Sequence, residues 1–514
     1  MSGKALGLAV VALYFAAVVV VGHLSNRMLR RNREDFFLAS RSFGVALLFF
    51  AVLGTNLSAF AMLGAPGAAY RYGVGVYGMV AAGLSITFPL LFYFVGHRVW
   101  LLGKRYGYST PVQMFADRFE SPTVGVVVFV VMVAYTIPYV VIGQIGSGLA
   151  LSGATDGAIP YWAGSLAVTV VVGLYVAQGG MRATALTNAV QVLVFMAFLV
   201  TAAVLVPPAL GGADELGREL VERRPDLLRR SAHVQTSPIA WIMQVFTFSA
   251  AMMCFPQIFV RMLAARSGRV IRNMAVLYPL GFLLTFLPAI SLAVWGSVAV
   301  PGLDGQGADN VIIVLMQRFM PAALAGFALA ALFAMIMSTM DAQVLALSHL
   351  FTTDIADRLL RGRVAGDELG VKVGRWFVAV VLAVGFGVSL VPNQSIFDVA
   401  NFAFTGFGVV FPVLVGMLYS RRLNKQAALA GLVTGSVLAP LAYFGVLDLG
   451  PLPSLPVVAI ETVVMIAVAA TTRPQPDAAD RFVGFLRSTF ARGRTRAVGP
   501  EIVPTGLTGT GLEA

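Results

Sequence analysis

Ser338, Thr339 and Asp341 stand within one helical turn of one another in the run MSTMDAQVL (337–345). The residues around them, from Arg318 to Asp354, are mostly apolar or small, so the run reads as a buried helix. At helical spacing Met335, Ser338, Thr339 and Ala342 share a face, and Asp341 follows Ser338 by three residues, nearly on that face. Two hydroxyls and a carboxylate make an oxygen-rich patch, and hard cations prefer oxygen ligands. A carboxylate at the centre of a membrane helix costs about 2.5–3.5 kcal/mol on insertion scales. The pattern therefore points to a cation site, with a hydrogen-bond cluster between helices as the alternative.

A second polar set interrupts FFAVLGTNLSAFAMLGAPGAAY (49–70), where Thr55, Asn56 and Ser58 fall between Gly54 and the Gly64, Pro66, Gly67 group. Glycine and proline loosen the helix ladder, and the carbonyls they free can coordinate a cation. WIMQVFTFSAAMMCFPQIF (241–259) is a partial counterpart, with Gln244, Ser249 and Pro256. The two segments lie five helices apart. An odd number of spans per repeat gives opposite orientations, which is the logic of an inverted repeat.

The elements that must position these residues are membrane spans. The chain of 514 residues is 58% hydrophobic and 12% charged, with mean hydropathy +0.84. Segments 42–70, 72–96, 121–155, 157–181 and 183–213 carry no Asp, Glu, Lys or Arg, and each exceeds the ~20 residues that cross a bilayer. The expected fold is an all-α polytopic membrane protein with thirteen spans. Span 0 covers about 5–24; spans 1 to 5 cover about 43–69, 74–97, 123–152, 160–178 and 185–207. Spans 6 to 10 cover about 238–260, 270–298, 310–350, 374–392 and 395–419; spans 11 and 12 cover about 426–446 and 455–472. The organisation expected from this is a leading span and basic loop (1–42), a first five-span repeat (43–207), an external loop (208–237), a second five-span repeat (238–419), two last spans (420–472) and a polar tail (473–514), loose near its end.

The net charge of +12 does not point to nucleic acid, because the basic residues fall in short loops between spans. With the N-terminus outside, 28 of the 36 Lys and Arg residues lie on the cytoplasmic side. That positive-inside bias puts the C-terminus in the cytoplasm, and the expected location is a bacterial-type plasma membrane. The start of the chain reads as a span, not a signal peptide. Arg261, at an inner helix end, reads as a topology anchor. Arg71 and Arg318 read as exposed interfacial arginines, with gating of an outer vestibule as the alternative. Asp398 and Glu461 read as interfacial. The single cysteine, Cys254, reads as inert, and His23, His97, His233 and His349 form no metal-binding spacing.

Several runs resemble the sodium:solute symporters, a family with a LeuT-type 5+5 inverted-repeat core. EDFFLASRSFG (34–44) is similar to the family's entry into span 1, and TNLSAFAMLGAPGAAYRYG (55–73) to its broken span 1. GGMRATALTNAVQ (179–191), PQIFVRMLAARS (256–267) and AALFAMIMSTMDAQVLALS (330–348) are similar to the loop into span 5, the span 6–7 junction and span 8. The resemblance covers about 5–472 and implies that core with one extra N-terminal and two extra C-terminal spans. It implies sodium bound between spans 1 and 8 by the carbonyls of Gly54, Leu57 and Met335 and the hydroxyls of Ser338 and Thr339.

One position departs from the pattern. Many members carry Asp in span 5, where this chain has Asn188 in TNAVQ; its carboxylate stands on span 8 instead, as Asp341. The expectation is that the negative charge has changed helices while staying in one pocket, so that Asp341 faces Asn188 and serves a second cation or carries a proton.

The resemblance also puts the solute near the midplane, between broken spans 1 and 6 and spans 3, 8 and 10. Candidate contacts are Asn56, Ser58 and Phe60 on span 1, Tyr135 and Gln144 on span 3, Gln244 and Phe248 on span 6, and Asn401, Phe404 and Thr405 on span 10. The expected function is sodium-coupled symport of a small organic solute, by likeness a monocarboxylate or pantothenate-like acid, with a proline-like amino acid symporter as the alternative. A sensor input domain is a further alternative, disfavoured by the short stretch after span 12. A channel is disfavoured by the broken helices, and an enzyme is not expected.

Overall fold

The computed structural model describes residues 3–26, 33–229, 237–357, 367–391, 395–450 and 453–491. The fold is all-helical. Among the described residues nine single helices are long and apolar enough to cross a membrane, and two bent helix pairs raise that to as many as eleven. Two shorter apolar segments, Leu6–Val21 and Tyr161–Ala177, lie where spans 0 and 4 were expected.

The bent pairs are the two segments that the glycine, proline and polar residues mark. Val45–Asn56 and Phe60–Tyr72 meet at 60°, and Pro238–Cys254 and Pro256–Ala264 at 58°. In span 1, Leu57 leaves helical geometry with φ −92° and ψ 86°. The Ser58 hydroxyl then accepts from the Phe60 N–H at 3.2 Å, so a side chain satisfies one amide of the restarting helix. In span 6, Phe255 is extended (φ −58°, ψ 125°) ahead of Pro256. A residue before proline is pushed out of the helical region, and proline itself brings no N–H.

Spans 4 and 5 run as one element, Tyr161–Ala209, kinked at Gly180 (φ 57°, ψ −160°). A Cβ there would meet the Phe36 carbonyl oxygen at 2.7 Å, so this turn needs glycine. Arg182, just beyond it, pairs with buried Asp35 at 2.7 Å and fastens the turn to the segment that leads into span 1.

Span 8 is the axis of the molecule. Its helix Ala322–Leu350 is buried at every residue from Ala328 to Leu350, and it packs against spans 0, 1, 3 and 5. Apolar residues on the outer spans are instead exposed, Val204, Val276, Trp376 and Val463 among them, as lipid-facing side chains are.

Three expectations need correction, and the tail adds structure of its own. Span 8 does not begin near 310: Val311–Phe319 is a separate short helix, ended by extended Met320 and followed by Pro321. The polar tail is helical from Pro476 to Ala491, with Ala478, Ala479, Phe482, Val483 and Leu486 buried, and the looseness expected near its end concerns the residues beyond. The last residues, 492–514, lie outside the described set. Glu461 is not interfacial: it is 0% exposed, pressed against Gly431 and Gly435 of span 11. Arg261 is no surface anchor either. It is buried, and its Nη1 donates to the Ala51 carbonyl of span 1.

Candidate sodium and solute site

The break in span 1 sits directly against Ser338 and Thr339. Helix Val45–Asn56 stops at Asn56, so its last carbonyls have no donors one turn ahead. The Ser338 hydroxyl lies 2.8 Å from the Gly54 carbonyl oxygen and 2.9 Å from that of Met335. The Thr339 hydroxyl lies 3.2 Å from Gly54 O, 3.2 Å from Leu57 O and 3.3 Å from Met335 O. Five oxygens, three carbonyl and two hydroxyl, thus share one small volume between spans 1 and 8. Close packing enforces this: a Cβ on Gly54 would stand 2.9 Å from Val192 and 3.3 Å from Asn188 of span 5.

Asp341 is buried one turn along span 8. Its Oδ2 accepts from the Tyr175 hydroxyl at 3.0 Å, while Oδ1 has no hydrogen-bond partner. Asn188 donates from Nδ2 to the Ser338 carbonyl at 3.0 Å, lies close enough to interact with the Asp341 carboxylate, and keeps its own Oδ1 unpartnered. Unpartnered buried oxygens on two facing side chains form an acceptor-rich pocket, which suits a proton or a cation. Arg261 supplies the nearby positive charge that acts on Asp341.

The candidate solute contacts divide. Phe60, Phe248 and Phe404 come together, with ring centroids 5.7 Å apart for Phe60–Phe248, 6.0 Å for Phe60–Phe404 and 4.2 Å for Phe248–Phe404. Gln244 donates to Asn401 Oδ1 at 2.6 Å and ties span 6 to span 10 beside them. Ser58 lies near the Tyr139 hydroxyl. Asn56 points the other way, donating to the Tyr278 hydroxyl of span 7. Thr405 is shared with Ser454 of span 12 at 2.7 Å. Tyr135 packs on Phe402, on a different side of span 10 from Phe404. Gln144 stands apart from the cluster: its amide donates to Thr169 and to the Leu382 carbonyl, both at 3.0 Å, and so joins spans 3, 4 and 9.

Sequence reasoning missed Tyr175, Tyr139, Phe255 and Arg261. Tyr139 and Phe255 complete the aromatic cluster, each 5.5 Å from Phe404. The available signal for the two tyrosines was their isolation in aliphatic helices, since a buried tyrosine hydroxyl seeks a partner.

Two broken spans, one of them meeting a buried oxygen cluster on span 8, are the arrangement that ion-coupled membrane transporters use. The comparisons agree, and a family profile matching residues 36–435 shows that this chain belongs to the sodium:solute symporter family. It is 24% identical over 436 residues to a sodium/proline symporter 2 of Staphylococcus saprophyticus, covering 83% of this chain and 84% of that one. It is 26% identical over 440 residues to an osmoregulated proline transporter of Bacillus subtilis, covering 82% and 86%. Among solved structures, a substrate-bound, outward-open Na+-coupled sialic acid symporter superposes with TM-score 0.78 at 18% identity, covering 91% of this chain and 98% of that one. A nucleobase-cation-symport-1 family transporter superposes with TM-score 0.56 at 13% identity, covering 88% and 98%. Membership of the sodium:solute symporter family implies sodium as the coupling ion.

Proposed function

We propose that the protein carries a small, compact, carboxylate-bearing solute into the cell with sodium, by alternating access within a thirteen-span, 5+5 inverted-repeat arrangement. The observation that carries this reading is the cluster of Gly54, Leu57 and Met335 carbonyls with the Ser338 and Thr339 hydroxyls at the break in span 1. Those residues are the sodium ligands of the proposal. Sodium there bridges span 1 to span 8, so its binding sets the angle at which the break is held. Asp341 and Asn188 form the second cation or proton site.

The solute lies against Phe60, Phe248 and Phe404, with Gln244 and Asn401 beside its polar end. A tight aromatic box favours a compact apolar body. A carboxylate can be met by amides and by the broken helix ends without a basic side chain. Lactate-type monocarboxylates satisfy this. Proline does as well, and the similarity to proline symporters puts it beside them as a first candidate.

The test is uptake into proteoliposomes of labelled lactate, acetate, pantothenate and proline, with glucose as control, under an inward sodium gradient and with potassium in its place. Sodium-driven accumulation of one carboxylate is expected. Accumulation of glucose instead, or uptake that ignores sodium and responds to acid, would overturn the reading.

A further inference from the structure

The tail adds a site that transport itself does not need. Where spans 2 and 10 end, the helix Phe485–Ala491 closes a cavity of about 260 Å³. Arg98 and Arg487 line it, with Leu418, Tyr419, Val483 and Phe490 among the remaining walls, and no carboxylate is among its lining residues.

Arg98 is held in a fixed orientation. Its guanidinium lies between the rings of Tyr419 and Phe490, at 4.5 and 4.6 Å. One N–H of Nη1 donates to the Phe94 carbonyl at 2.7 Å. A guanidinium has five N–H donors, so most remain for a ligand. A planar, pre-oriented fork with a second arginine beside it is the chemistry that recognises phosphate oxygens.

An exposed apolar stripe on span 2 leads toward Arg98 of the cavity. On span 2, Ile86, Leu90 and Phe94 are spaced four residues apart and are 64, 52 and 50% exposed. Arg98 is the next residue in that four-residue series. Tyr93 and Tyr419 are both 39% exposed, where amphipathic rings mark the membrane interface. A soluble phosphate would use the two arginines and ignore this stripe. A phospholipid uses both.

We propose that this cavity binds the headgroup of an anionic diacyl phospholipid. Its phosphate lies between Arg98 and Arg487, and an acyl chain runs along Phe94, Leu90 and Ile86. The bound lipid fastens the tail helix to the ends of spans 2 and 10.

The test is native mass spectrometry of the full chain with phosphatidylglycerol or phosphatidylcholine of the same acyl chains, and with glycerol phosphate. An arginine at an anionic membrane surface contributes about a fivefold factor in binding. Phosphatidylglycerol should therefore be retained about fivefold or more over phosphatidylcholine. Arg487→Gln should cut that preference about fivefold, and Arg487→Lys should keep most of it; Arg487 is exposed, so neither change disturbs the core. An Arg487→Gln protein with the full preference, or equal retention of the two lipids, would overturn the proposal. Glycerol phosphate binding as tightly as the lipid would reassign the site to a soluble phosphate and also overturn it.

Discussion

The Tyr175 hydroxyl donates to Asp341 Oδ2 at 3.0 Å and lies 3.2 Å from the Met337 carbonyl, so one proton serves two acceptors across spans 4 and 8. Asn188 beside them donates to the carbonyl of Ser338, whose hydroxyl meets Gly54 of span 1. Asp341 is therefore linked through packed, hydrogen-bonded residues to the oxygen cluster proposed for sodium. Asp341→Asn should remove one positive charge from each transport cycle while leaving solute recognition in place. Tyr175→Phe should keep that stoichiometry and weaken cation dependence only a few-fold, because a single neutral donor contributes about 1 kcal/mol. Charge moved per labelled solute, measured in the same proteoliposomes, separates the two. An Asp341→Asn protein with unchanged charge movement would remove Asp341 from ion coupling.

The hydroxyls of Ser338 and Thr339 are the side-chain part of the proposed sodium shell; the other three oxygens belong to backbone and tolerate substitution. Interactions with a charged group contribute about 1.5–3 kcal/mol, or roughly 10- to 100-fold in affinity. Thr339→Val keeps the side-chain volume and deletes the oxygen. It should raise the sodium concentration for half-maximal uptake by that factor, whereas Thr339→Ser should stay within about threefold. Equal sodium dependence of the Val and Ser variants would show that the Thr339 oxygen does not bind the ion.

Outside the spans, Asp309 gives a pH signature. It is buried in the segment between spans 7 and 8, 3.8 Å from Arg71. It also accepts from the Ile396 N–H at the start of span 10, at 3.4 Å. Burial pushes its carboxyl up to about 7, partly offset by Arg71 and the Ile396 N–H and reinforced by Asp398. In the unfolded chain an Asp titrates near 3.9. Between about pH 4 and 7 the folded state thus binds more protons than the unfolded one, so stability should fall as pH rises through that window and level off above it. Melting temperatures from pH 4.5 to 8.5 should show the slope, and Asp309→Asn should flatten it. A wild-type profile that rises over the same range would contradict this sign.

How far the sequence revealed these features follows from what each depends on. The break in span 1 was legible because Gly54, Pro66 and the Thr55–Asn56–Ser58 set are local signals, and Pro256 marked the second break in the same way. Ser338 and Thr339 were legible because two hydroxyls on one helix face are a pattern of spacing alone. The partners of Gln144 were not legible: a polar residue in an apolar span announces burial, but not which neighbour satisfies it. Its partners, Thr169 and Leu382 O, are 25 and 238 residues away. Arg261 and Glu461 failed for a related reason. Charged residues at helix ends were read as surface features, whereas tertiary packing covers both. The tail helix was obscured by composition, since its few apolar residues matter only when Tyr106 and Tyr108 are there to receive them.

That docking supplies the last prediction, because two kinds of contact hold the tail and their magnitudes differ. Arg481 pairs with Asp117 at 3.2 Å and Glu120 at 3.3 Å, and its side chain is 37% exposed. Partly exposed ion pairs contribute about 0–1 kcal/mol. Phe482 is 0% exposed and stacks on Tyr106 at 5.6 Å and Tyr108 at 6.1 Å. Truncating a buried phenylalanine costs about 3–5 kcal/mol, more than a segment this short can lose and stay docked. Phe482→Ala should therefore release the tail, and trypsin should cut at Arg487 at least tenfold faster than in the wild type. Arg481→Gln should change that rate by no more than about fivefold. The reverse ranking would mean that the ion pairs, not the aromatic stack, hold the tail against spans 2 and 10.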